Sequence, residues 1–262
     1  MSPFTRFRLR QFFRAFGIRF RSGTPSSRDM DSICSHLRQL GFQPKTIVDV
    51  GVADGTLELY RHFDNPYLVL VEPMIEFKAS IDAILGRYSG ETHFVAVGSS
   101  DGQVEFGVGP NIADFHNAKP IVDGAVTTRT VPTARLDSLV QDVAAPVLLK
   151  IDVEGFELEV IDGAPELLQK VEVAILETRL FDIFGGTPIF SEVCARMAAE
   201  GFEVYDVIDT IARPLDGALV MCDIVFVRRE SGLRSDVRYE TEDQARRHAR
   251  RLMPTLRRLL KM

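Results

Sequence analysis

A chain of 262 residues, 45% hydrophobic and 26% charged, has enough apolar material for one large α/β domain or two small ones. Cys34, Cys194 and Cys222 stand far apart without paired-ligand spacing, which argues against a disulfide framework or a cysteine zinc site. The net charge of −6 is uneven: residues 1–28 hold seven arginines and no acid, residues 228–262 hold eleven bases against five acids, and the acidic body between them would repel phosphates, so no nucleic-acid partner is expected.

Near the N-terminus Leu9, Phe12, Phe13, Phe16 and Phe20 follow helical spacing, with Arg6, Arg8, Arg10, Arg14 and Arg19 on the flanks. Three readings stand side by side. The helix makes peripheral membrane contact through residues 4–20, packs on the domain with its arginines solvated, or is an organellar targeting peptide. The arginines break the apolar run that a secretory signal needs, and no stretch reaches the ~18 apolar residues of a membrane span. A cytoplasmic location follows as the expectation. Ser22–Ser27 reads as a linker, so residues 1–28 form a basic segment ahead of a domain over 29–230, with a basic helical tail over 231–262.

From residue 29 the pattern alternates. Helix is expected at Asp29–Leu40, Leu57–His62, Ile75–Leu85, around Phe156–Leu168 and at Ile189–Glu200. Apolar strands are expected at Thr46–Val50, Tyr67–Val71, Thr92–Val97, Val147–Ile151, Val171–Glu177, Phe202–Ile208 and Cys222–Arg228. Gln103–Val108 is expected to pair beside the third strand, and the polar stretch 109–130 reads as a long loop or insertion. Continuous apolar strands separated by helices mean a parallel sheet covered on both faces. Asp209–Met221 is short for a helical crossover and suits a hairpin, which makes the final strand antiparallel.

Ligands of such sheets bind beyond the carboxyl ends of the strands. The first strand runs into VDVGVADGT at 48–56, where Gly51 permits a sharp turn and Gly55 opens the next helix. The glycine spacing is neither the dinucleotide fingerprint nor a Walker loop. The second strand ends in Glu72, an acid placed to accept hydrogen bonds from both hydroxyls of a ribose. The fourth strand gives Lys150, Asp152 and Glu154, and the fifth ends in Glu177. These three acids are expected to crowd the cleft mouth and share Lys150, where they can orient a hydroxyl, take its proton or bind a metal. An ion-pair network around Lys150 is the competing explanation. His116, in the long loop, is the one histidine kept as a candidate base.

Together these segments resemble the FkbM-type methyltransferases, a branch of the S-adenosylmethionine-dependent class I fold. The carriers are VDVGVADGT at 48–56, LVLVEP at 68–73, VAVGSSDGQVEF at 95–106, RLDSL at 135–139 and LLKIDVEGFELEVIDGAPELL at 148–168. The resemblance implies a doubly wound, mostly parallel seven-stranded, Rossmann-like sheet with an antiparallel last strand. It implies that Asp49, Gly51 and Gly55, with Asp54 and Thr56 nearby, hold the methionine portion of S-adenosylmethionine, that Glu72 holds the ribose, and that Ala96, Val97 and Ser99 border the adenine. Asp152 would face the reactive methyl, and Glu154 and Glu177 would line the pocket of a small-molecule acceptor, by family association a sugar or other hydroxylated metabolite. Asp152 or His116 is the expected base, and no metal is assigned. Many relatives carry Ala-Asn after the first glycine of the turn; Val52-Ala53 cannot supply that amide. A nucleotide-binding (NAD-type) oxidoreductase and a non-catalytic methyltransferase-like module that binds a membrane or partner are the alternatives.

Overall fold

The computed structural model describes residues 28–108, 127–183 and 185–248. The expectations for residues 1–27, for the loop 109–126 with His116 and for 249–262 lie outside the described residues. Residues Ser27–Leu233 make up one compact unit. In the other unit, residues 242–248 are helical, and His248 Nδ1 lies 2.8 Å from Glu240 Oε2.

The main sheet has seven strands in the order β3-β2-β1-β7-β8-β10-β9. Strands β1 (Thr46–Val50), β2 (Tyr67–Val71) and β7 (Val147–Ile151) coincide with the three apolar runs read from sequence. Together with β3 (Gly90–His93) and β8 (Val171–Arg179) they pair in parallel. The last strand, β10 (Leu219–Arg228), inserts antiparallel between β8 and β9 (Phe202–Ala212), as the short connection required. Strand order reverses between β1 and β7, so a crevice opens beyond their carboxyl ends.

Both faces are covered, which explains why the strands lack a polar alternation. Ile47, Leu68, Leu70 and Leu148 pack with side chains of α1 (Met30–Gln39), α2 (Leu57–Arg61) and α3 (Lys78–Leu85). Val48, Val50, Val69, Leu149 and Ile151 pack with α5 (Glu157–Asp162), α6 (Pro165–Leu168) and α7 (Phe190–Ala199). Burying each such aliphatic side chain contributes about 1.5–3 kcal/mol relative to exposure.

Four expectations need correction. The strand expected at Thr92–Val97 is broken: β3 ends at His93, and Ala96–Val97 (β4) joins a second sheet of order β4-β6-β5. Gln103–Val108 lies in β5 (Gly102–Val108), whose partner is β6 (Thr127–Ala134) and not the third strand. Residues 127–130, read as loop, belong to β6. The helix expected around Phe156–Leu168 is two, because the chain turns at Gly163, where a Cβ would lie 2.2 Å from the Gly98 carbonyl oxygen. Between β6 and β7 runs the short α4 (Leu136–Leu139), whose Leu136 is buried.

Candidate active site

At the strand-order reversal lies a cavity of about 290 Å³. Its wall comes from the ends of β1 (Val50, Gly51), β2 (Val71–Met74) and β7 (Asp152–Glu154), closed by the segment Val95–Ser100 and by Phe156 and Glu159. The backbone turns sharply at its edges: Gly51 has φ +84 and Glu154 φ +57. At Gly51 any Cβ would sit 1.8 Å from the Asp152 carbonyl oxygen, so glycine there lets the β1 and β7 ends approach each other.

Glu72 is 5% exposed and stands in the wall. Its Oε2 accepts the Ala53 N–H at 2.9 Å and its Oε1 accepts the Met74 N–H at 2.9 Å. Two backbone donors thus fix the carboxylate while leaving each oxygen a further lone pair. Burial raises its pKa despite those two bonds.

Asp49 and Lys150 are register partners on β1 and β7 and project toward the α1–α3 layer. The Asp49 side chain is fully buried and outside the cavity wall; the Tyr60 hydroxyl donates to its Oδ2, and Lys150 Nζ lies 3.8 Å from its Oδ1. Lys150 Nζ also donates to Asp152 Oδ2 at 3.0 Å. Burial lowers the Lys150 pKa, but Asp49 and Asp152 outweigh it and hold the ammonium above its ordinary value.

Asp152, Glu154 and Glu177 do gather: a carboxylate oxygen from each lies within 4.8 Å of the others. They do not share Lys150, which serves Asp49 and Asp152. The cation beside the other two is Arg179, which donates to Glu154 Oε2 and lies 3.9 Å from Glu177 Oε2. Burial first, then the charges of Asp152 and Glu154, push Glu177 up to about 9. Glu157, 2% exposed, accepts the Gly155 N–H at 2.8 Å, and burial pushes it up to about 7.

A model of the methyltransferase FkbM domain matches residues 49–204. The chain belongs to the FkbM methyltransferase family. The match begins at the Asp49 turn and includes β7 and the acidic run after it. Among curated proteins, the hexuronic acid methyltransferase AglP of Haloferax volcanii is 38% identical over 81 residues, which is 30% of this chain and 32% of that protein. The chain therefore matches about a third of the length of that relative. Among solved structures, magnesium protoporphyrin IX methyltransferase (ChlM) of Synechocystis, with bound SAM, has a TM-score of 0.42 at 12% identity, over 87% of this chain and 98% of that one. Fibrillarin of Aeropyrum pernix, in complex with S-adenosyl-L-methionine, has a TM-score of 0.41 at 12% identity, over 71% and 67%. The architecture of this FkbM chain rests on its own strand order.

Of the residues expected around a cofactor, Gly51, Glu72, Ala96, Val97, Ser99 and Asp152 stand in the cavity wall. Asp54, Gly55 and Thr56 do not. Asp54 accepts the Ser80 hydroxyl at 2.8 Å, Gly55 (φ +96) packs against Ile84, and Thr56 caps α2. Sequence reasoning missed Tyr60, Glu157, Glu159 and Arg179. Arg179 was within reach, because it follows Glu177 by the two-residue period of a strand. Tyr60 carries no such signal; only the fold brings it to Asp49.

Proposed function

We propose that this FkbM-family chain uses S-adenosylmethionine to methylate a hydroxyl oxygen of a neutral sugar or similar polyol. The observation that carries the reading is Glu72: an enclosed carboxylate, fixed by two backbone N–H groups, facing a cavity at the strand-order reversal with lone pairs left for a ribose diol. Gly51 and the Val95–Ser100 segment flank it on the sides where the methionine and adenine portions would extend. Bound S-adenosylmethionine supplies a methyl carbon on a sulfonium, open to in-line displacement.

The protein's part is placement and proton management. Lys150 holds Asp152 at the junction of cavity and acidic mouth. Asp152 receives the proton that the acceptor hydroxyl gives up as its oxygen takes the methyl. Glu154 and Glu177 accept hydrogen bonds from neighbouring hydroxyls and fix the acceptor's orientation. Family membership favours group transfer over hydride chemistry.

The relative AglP is named for a hexuronic acid, which supports a sugar as acceptor. The mouth of this chain sets three carboxyl groups close together, and its guanidinium is already engaged by Glu154, an arrangement that leaves that cation occupied when an anionic sugar arrives and offers a neutral one hydrogen-bond acceptors. Incubation with methyl-labelled S-adenosylmethionine and paired hexoses and hexuronic acids tests this reading. Label is expected in the neutral partner of a pair. Label confined to the uronic acids overturns the acceptor assignment, and label in neither counts against sugar methylation.

A further inference from the structure

Exposed apolar side chains scattered singly are ordinary on a protein surface; a gathering of them is not. Of the eleven large hydrophobic residues exposed among the described ones, four lie at one corner: Phe181 and Ile183 just after β8, and Ile211 and Leu215 at the outer end of β9 and the turn into β10. Register brings them together. Arg179 of β8 stands opposite Met221 of β10, and Met221 opposite Ile211 of β9, so the three strands reach this end in one row. The Leu180 N–H extends the pairing by donating to the Val220 carbonyl oxygen at 2.9 Å. Across the corner the Arg213 guanidinium lies over the Phe181 ring, 4.1 Å from its centroid, and the ring stays partly exposed.

This corner borders the acidic mouth. Arg179, the cation beside Glu154 and Glu177, precedes Phe181 by two residues, at most about 7 Å of extended chain. On the return path Thr187 packs against Gly155, the neighbour of Glu154: a Cβ on that glycine would lie 2.7 Å from Thr187 Cγ2. The chain here is tied down. Asp182 accepts the Gly186 N–H at 2.7 Å, the Thr187 N–H at 3.2 Å and the Thr187 hydroxyl at 3.0 Å. The apolar groups are thus held in place before anything binds, which lowers the ordering cost of binding. Charge narrows the occupant. Arg213 donates to both carboxylate oxygens of Asp216, at 2.8 and 2.6 Å, and Arg179 is engaged by Glu154. With both guanidiniums of the corner occupied, an anionic lipid surface gains little here. An apolar group joined to the sugar in the mouth is brought to the corner by the acceptor itself.

We infer that the acceptor is a glycoside with an apolar aglycone, which rests on Phe181, Ile183, Ile211 and Leu215 while its sugar occupies the acidic mouth. This depends on the reading of the acceptor as a neutral sugar and names what that sugar carries. The test is methyl transfer from labelled S-adenosylmethionine by the full chain to methyl and hexyl glycosides of the same neutral hexoses. Wild type should show a KM about tenfold lower for the hexyl glycoside, from the apolar surface it buries. Its kcat should change little, because the aglycone is held alike in ground and transition states. In Phe181→Ala the two KM values should come within about threefold of each other, and Phe181→Leu, still apolar, should keep most of the difference. A partly folded preparation lowers both rates alike and leaves the KM ratio unchanged, so it does not imitate the result. Equal KM values in wild type, or a ratio unchanged in Phe181→Ala, overturn the inference and leave sugar methylation standing. If the KM values are equal and Phe181→Ala also loses cosedimentation with phosphatidylglycerol vesicles, the corner belongs to a lipid surface instead. Label in no glycoside of either kind overturns both readings.

Discussion

Lys150 shows what a single residue contributes. Its ammonium is 5% exposed, and such a charge is tolerated because Asp49 and Asp152 lie on either side of it. The same arrangement makes Asp49 dependent on Lys150, since Asp49 is wholly buried and its Oδ1 has no hydrogen bond among the described residues. Replacing Lys150 with Met leaves a buried carboxylate beside an apolar chain. Chemical denaturation should show a loss of about 3–5 kcal/mol. The double variant Lys150→Met/Asp49→Asn should recover part of it, because the uncompensated charge is gone. A loss under 1 kcal/mol in the single variant would mean that Asp49 is already neutral.

Elements place these residues, and here the sequence was unevenly legible. Strands β1, β2 and β7 are β-branched apolar runs buried on both faces, so their bounds could be read directly. β6 reads TTRTVPTA, with Val131 buried as core among its described side chains, and a strand with so little apolar content carries no such signal. β4 has two residues, too few for any period. Glu72 and Asp152 were legible because they end clear strands; Arg179 lies three residues beyond Leu176, the last apolar residue of β8, so only the two-residue period from Glu177 pointed to it. The turn after β1 is tightly constrained. Gly51→Ala puts a methyl 1.8 Å from the Asp152 carbonyl at φ +84, and should cost about 3 kcal/mol or more in a denaturation experiment. Ala53 holds φ +45, a left-handed conformation that costs a Cβ-bearing residue about 1–2 kcal/mol. Ala53→Gly should relieve that strain, less about 0.5–1 kcal/mol of glycine entropy, and leave the protein slightly more stable. A destabilised Ala53→Gly protein would contradict the strain assignment.

At the scale of the whole molecule, the burial that builds the site also sets its response to pH. Glu177, Glu157 and Asp223 are pushed up to about 9, 7 and 6, in each case chiefly by burial. Each binds its proton more tightly folded than unfolded, so its contribution to stability is complete below the ordinary value of 4.5 or 3.8 and is lost as pH rises through the folded value. The thermal midpoint should therefore fall as pH rises from about 4.5 to about 9. Glu177→Gln, neutral throughout, should flatten the upper part of that fall, and an identical profile would show that Glu177 is ionised in the folded protein. The chain belongs to the FkbM methyltransferase family through residues 49–204, and among the described residues no helix is long and apolar enough to cross a membrane. The central claim is that the cavity at the strand-order reversal holds S-adenosylmethionine through Glu72. Isothermal titration of S-adenosylhomocysteine into wild type and Glu72→Ala tests it most directly. Saturable one-to-one binding is expected in wild type, weakened at least tenfold in the variant; no heat of binding in wild type, or equal affinity in both proteins, would contradict it.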